Sequence, residues 1–216
     1  MITVSILSIL GAVLLIVLWM MMRNPSGAPA IPAAKQAQPI QPPPLELHPS
    51  EARVGDYISI TGAAADFSDL DFTVDRRSAY QLGNRRWTDL SGEFRGDRVY
   101  LEAQPKPSAE AMGIFDPRKL TIADLHIDEQ RLVDLDSRQD PNQFISFEGK
   151  NWNYESSREL GYFENETGPA EGLYRWQFRE QGGDRLLCVE KWEGEPFDVR
   201  VARRVKVQDI TVFRAA

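Results

Sequence analysis

The chain has 216 residues and a net charge of −7; 42% of its residues are hydrophobic and 26% charged, the balance of an ordinary globular protein. All 32 acidic residues lie from Glu46 onward, with all but Arg23 and Lys35 of the 25 basic ones. The body of the chain is therefore acidic and repels phosphates, which excludes nucleic acid as a partner. One cysteine, Cys188, excludes an internal disulfide and a Cys-cluster zinc site, and two histidines, His48 and His126, are too few for a His-rich metal site.

The amino-terminal stretch from Ile2 to Met22 carries no charge. A helix of that length reaches roughly 30 Å, the thickness of a bilayer's hydrocarbon core. Trp19 sits where an aromatic belt belongs, and a basic region such as opens a secretory signal is missing. Residues 1–23 are read as a transmembrane helix, with the lipid bilayer as partner through residues 2–22. Arg23 and Lys35 follow the span and no basic side chain precedes it, which predicts a single-pass inner-membrane protein with its carboxyl-terminal domain in the cytoplasm. Residues 24–45, "NPSGAPAIPAAKQAQPIQPPPL", are rich in Pro, Ala and Gln and have no apolar periodicity. They read as a disordered linker.

Beyond the linker the pattern is all-β and occurs twice. "YISITG" (57–62) matches "FISFEG" (144–149), and "GDRV" (96–99) matches "GDRL" (183–186), both at an offset of 87. Phe72 and Val74 correspond to Trp152 and Tyr154, and Trp87 to Trp176. Tyr174, Trp176 and Phe178 alternate with Arg175, Gln177 and Arg179, the period of a strand, and "QGGD" (181–184) supplies a hairpin turn. The predicted fold is a duplicated β-meander in two packed barrel- or sandwich-like units. The first unit covers 46–104, a connecting segment 105–140, and a second unit with extra carboxyl-terminal strands 141–216. "SAEAMGIF" (108–115) and "TIADLHID" (121–128) read as short helical turns in the connection, with capping-box spacing at Thr121 and Asp124.

"VGDYISI", "FISFEGKNWNYE" and "LLCVEKWEGEPFDVRVARRVKVQDITVF" together resemble a bacterial family, domain of unknown function four-one-seven-eight, over residues 50–213. The resemblance implies no known activity and no assigned site residues. Genes of that family tend to sit beside PspA-like membrane-stress proteins and polyamine-synthase-like enzymes, which implies a link to envelope stress or membrane-associated complexes.

Chemistry-bearing motifs are sparse. Cys188 shares its strand phase with Leu186 and aligns with Leu101, which gives it a packing role. Asp66, Asp69, Asp71 and Asp75 gather in one stretch, and "DLDSRQDPN" (134–142) is similarly acidic. Neither has calcium-loop spacing, and both read as turns. "NET" (165–167) matches a glycosylation sequon by chance in a cytoplasmic domain. No cofactor, metal or catalytic residue is assigned. Glu148 and Glu155 are the carboxylates considered for acid–base chemistry. Trp192, at a strand end before "EGEP", is the candidate partner-binding residue. The expected function is a membrane-tethered, non-enzymatic binding or assembly module with a protein partner. A carboxylate-dependent enzyme on a β-scaffold and an extracytoplasmic binding domain are the alternatives.

Overall fold

The computed structural model describes residues 47–215; the expected transmembrane helix and linker lie outside the described residues. Among the described residues no helix is long and apolar enough to cross a membrane. The chain runs β1 (Tyr57–Ile60), β2 (Leu70–Thr73), β3 (Arg76–Leu82), β4 (Arg85–Phe94), β5 (Asp97–Ala103) and β6 (Glu110–Ile114). After a turn and the helix α1 (Glu129–Arg138) come β7 (Phe144–Phe147), β8 (Lys150–Phe163), β9 (Glu171–Glu180), β10 (Arg185–Trp192), β11 (Phe197–Lys206) and β12 (Ile210–Phe213).

The all-β class is as expected, but the two meanders do not make two barrels. Strands β3–β6 and β8–β11 join edge to edge in the order β3-β4-β5-β6-β11-β10-β9-β8. Pairing of Tyr80 with Tyr162 closes the ring into one eight-stranded antiparallel barrel. The physical reason is the edges. A four-stranded meander leaves a free edge on either side and is too narrow to close around side chains, whereas eight strands satisfy both demands. β7 extends the sheet beyond β8, and β12-β1-β2 form a separate three-stranded sheet.

That small sheet lies against the barrel's outer wall. Ile58, Ile60, Phe72 and Val212 pack with Leu90, Val99 and Leu101 of β4 and β5. Gly92 permits the close approach, since a Cβ there would run into the Thr73 carbonyl oxygen. On the other half, Leu132 and Leu135 of α1 pack on Trp152, Tyr154, Trp176 and Phe178. The Trp176 indole nitrogen donates to the Leu132 carbonyl at 3.1 Å and fixes the helix to the wall.

Two local expectations are corrected. The first of the two expected helical turns, "SAEAMGIF", holds strand β6. Met112 and Ile114 face inward with Cys188, while Ala111 and Val205 join the outer core, so a period of two hides among small residues. Helix α1 takes up the start of the stretch read as an acidic turn. Asp128 caps it by accepting from the Arg131 N–H at 2.8 Å, and Gln139 ends it in a left-handed conformation.

The 87-residue offset preserves ladder partners, but the faces of the barrel strands are reversed. Leu90 pairs with Leu101, and Gln177 pairs with Cys188. Leu90 and Leu101 belong to the outer core, whereas Cys188 packs with Ile114, Leu186 and Ala202 inside the ring. Trp87 lies inward and Trp176 outward. The lengths of the connections between strands, not the offset, set which face each barrel strand presents, since Ile58 and Ile145 at the same offset both lie in outer cores.

Candidate functional site

Alternation along the barrel strands sends the apolar sets of β4, β5, β9 and β10 outward. The lumen therefore receives their polar positions, along with Trp87, Leu173, Leu186, Cys188 and Trp192. At its centre Arg175 of β9 stands between Glu102 of β5 and Glu190 of β10, all three buried. Its Nε donates to Glu190 Oε1 at 2.8 Å and its Nη1 to Glu102 Oε2 at 2.9 Å. The Trp87 indole nitrogen donates to the same Glu102 oxygen at 2.9 Å. The guanidinium lies over the Tyr80 ring, 4.4 Å from its centroid, and Tyr80 stacks on Trp87.

This cluster is not fully satisfied. Arg175 Nη2 lies 2.9 Å from Glu102 Oε1 and 2.6 Å from Glu190 Oε1, close enough for ion pairing. These contacts complete the ion pairs of Glu102 Oε1 and Glu190 Oε1, and Glu190 Oε2 accepts no hydrogen bond. Asp89, one strand from Glu102, is buried too. Burial, reinforced by the Glu102 charge, pushes its carboxyl up to about 8. A buried charged group gives little net stability, so the cluster is a costly arrangement for a mere core.

Glu102 and Arg175 form the floor of a cavity of about 300 Å³ at one end of the lumen. Leu82, Trp87, Met112, Leu160 and Leu186 make its apolar wall. Gln177 also lines it and donates to the Met112 sulfur at 3.4 Å. Arg85, Arg158, Arg204, Glu110, Glu155 and Ser108 stand around the opening. A bulge in β8 between Tyr154 and Ser156 builds this side. Before it, Trp152 and Tyr154 face the outer core; after it, Leu160 and Tyr162 face inward.

Trp192 is half-buried, its ring edge-on to Tyr162 with centroids 5.3 Å apart. It belongs to the luminal apolar group with Tyr80, Leu160 and Trp87 and also borders a shallow hollow with Glu159, Tyr174 and Gly194. Glu148 and Glu155 are engaged separately. Arg118 and Arg185 pair with Glu148, and hydrogen bonding from Arg118 chiefly holds its carboxyl below the usual range. Arg179 and Arg204 pair with Glu155. Asp66 pairs with Arg95, Asp69 accepts from the Gly62 N–H, and Asp75 pairs with Arg98, so these aspartates serve different local contacts.

Sequence reading assigned neither Arg175 nor Glu102 to a site. Arg175 alternates with aromatic residues and reads as a solvent-facing position until the ring closes over it. The available signal was that Glu102, Arg175 and Glu190 are charged positions alternating with apolar neighbours on three strands. No family model, curated protein or solved structure matches the chain.

Proposed function

We propose that the protein is a membrane-tethered, non-catalytic binding module whose site is the cavity at the barrel's open end. The uncharged run from Ile2 to Met22 supports the tether, at the inner membrane with the barrel on the cytoplasmic side. One observation carries the binding site: a cavity of about 300 Å³ in which apolar side chains from Trp87, Met112 and Leu160 stand beside charged ones from Arg85, Arg158 and Arg204. Ligands bind in concave sites that combine apolar surface with placed polar groups, and the volume lies at the small end of their range. A non-catalytic reading is favoured because Asp89, the carboxyl with the raised affinity for its proton, does not line the cavity.

The test is a fragment panel screened by saturation-transfer NMR against the full chain in lipid nanodiscs, beside Leu160→Trp, which fills the cavity. Fragments that bind the natural chain and are lost from the filled variant support the reading. A panel whose binding is the same in both overturns it. The second reading keeps a protein partner, and the hollow beside the half-exposed Trp192 is the observation that favours it.

A further inference from the structure

The ladder sets two arginines side by side on the inner wall. Arg158 of β8 lies directly opposite Arg175 of β9, and Arg175 lies opposite Glu190 of β10. Directly opposed residues share a face, so the three side chains form one row across the lumen. Arg175 is enclosed by Glu102 and Glu190. Arg158 has no carboxylate within ion-pair distance among the described residues, and its ladder neighbour carries a like charge, a destabilising arrangement. The adjacent Glu159 points to the other side of the wall, opposite Tyr174. Arg85 is in the same position as Arg158. It stands two residues before the inward-facing Trp87, opposite Leu82, also without a carboxylate in reach among the described residues. Arg204, the third arginine at the opening, sits 2.9 Å from Glu155 and 3.6 Å from Glu110. The mouth therefore holds two uncompensated cations, Arg85 and Arg158, both exposed.

Further in, the cavity asks for no polar group. Arg175 Nη2 and Glu102 Oε1 are paired with each other at 2.9 Å and closed off from the surface. The Gln177 amide already donates to the Met112 sulfur. What remains is apolar surface from Leu82, Trp87, Met112, Leu160 and Leu186. An anion placed at this depth meets repulsion from Glu102 and Glu190 in a poorly screened interior. The two ends of the cavity thus select opposite ends of a ligand. At about 30 Å³ per water-sized group, there is room for on the order of ten non-hydrogen atoms, far fewer than a two-chain lipid carries.

We propose that the cavity takes a short unbranched carboxylic acid in its ionised form, its carboxylate held at the mouth by Arg85 and Arg158 and its apolar chain directed inward. This rests on the binding reading above and adds the ligand's chemical class. The guanidinium fork matches a carboxylate, and the bound acid supplies Arg158 with the counter-charge that its ladder partner does not. Because these arginines are exposed, salt screens the carboxylate's share of the affinity and leaves the chain's share in place.

The experiment is titration calorimetry of the full chain in phosphatidylcholine nanodiscs at neutral pH, with empty discs as the blank. The probes are hexanoate, acetate, 1-hexanol and hexylamine. Hexanoate is expected to bind about tenfold more tightly than 1-hexanol, and its lead should shrink as salt is raised. Acetate, which lacks the chain, should bind more weakly still. In Arg85→Gln/Arg158→Gln hexanoate should fall to the level of 1-hexanol, whereas Arg85→Lys/Arg158→Lys keeps the charges and should keep most of the preference. Both side chains are exposed, so the glutamine variant should melt no lower than the natural chain. Equal binding of hexanoate and 1-hexanol overturns the proposal. So do tighter binding of hexylamine, acetate binding as well as hexanoate, or a preference for hexanoate that survives in the glutamine variant. Silence of all four probes overturns it too. Fragments that bind the natural chain, are lost from Leu160→Trp and show no preference for acids would then leave the binding reading standing by itself.

Discussion

The two halves of the barrel share a ladder plan and differ in what covers them. In the first half the strand before the barrel breaks: β2 ends at Thr73, β3 starts at Arg76, and β2 leaves to join β1 and β12 in a separate sheet. In the second half the corresponding strand does not break. β8 runs unbroken from Lys150 to Phe163, holds β7 on the main sheet, and reverses its faces at the Tyr154–Ser156 bulge. An independent sheet covers the first outer wall, and a helix covers the second. The lesson is that the second outer core is local to its half, the first borrows Val205, Ile210 and Val212 from the end of the chain, and the lumen is shared. Glu102 and Asp89 come from the first half and Arg175 and Glu190 from the second, so the charged centre exists only when the halves meet.

The strongest way to break that comparison is to remove the shared cation. Arg175→Leu leaves Glu102 and Glu190 buried without a counter-charge, and breaking a buried pair in this way costs about 3–5 kcal/mol. Urea unfolding of the full chain, followed by tryptophan fluorescence, should show this loss. The triple variant Arg175→Leu/Glu102→Leu/Glu190→Leu removes all three charges together and should recover most of it. A single variant that loses little stability would show that the halves are held together by the ladders alone.

The lumen also gives the comparison a pH dependence. Asp89 has a folded-state carboxyl raised to about 8, chiefly by burial, against an ordinary value near 4 in the unfolded chain. Between those values the folded state holds a proton that the unfolded state does not. Stability from this group is full below about pH 4 and declines as pH rises toward 8. Glu180 has the opposite sign. Hydrogen bonding from Arg185 lowers its carboxyl to about 2, so its contribution is present above its unfolded value and lost as pH falls toward 2. Urea midpoints measured from pH 5 to 8 should therefore fall with rising pH in the natural chain, and the slope should flatten in Asp89→Asn. An unchanged slope in that variant would place the titration elsewhere.

How much of this was legible in the sequence follows from where each signal lies. Tyr174, Trp176 and Phe178 declared a strand with one apolar face, and that face is the outer core. The glycine-containing turns before Asp97 and Arg185 marked hairpins that the structure contains. Closure of the ring was not legible, because pairing of β3 with β8 joins residues about eighty positions apart and depends on two edges meeting. The cavity was hidden for the same reason. Arg175 and Gln177 have the spacing of water-facing residues, and only closure turns that side into an interior. Helix α1 was obscured by its many charges, with Leu132 and Leu135 as its buried side chains.

Cys188 gives the smallest effect and the finest test of which face a strand presents. Its assignment to packing rested partly on an alignment with Leu101, yet the two residues lie on opposite sides of the barrel wall. The packing role stands on other contacts. Cys188 is fully buried beside Leu186, Ile114 and Ala202, with its sulfur 3.9 Å from that of Met112. Burial pushes its thiol up to about 12, so thiolate is scarce at neutral pH and the reactive form is withheld. An aromatic disulfide reagent should therefore leave the native chain unmodified and react promptly once urea unfolds it. Cys188→Ala should cost on the order of 1 kcal/mol, the loss of one small buried group. Rapid labelling of the native protein would mean that the lumen opens at this level, and the wall that separates Cys188 from Leu101 would then be more permeable than its packing indicates.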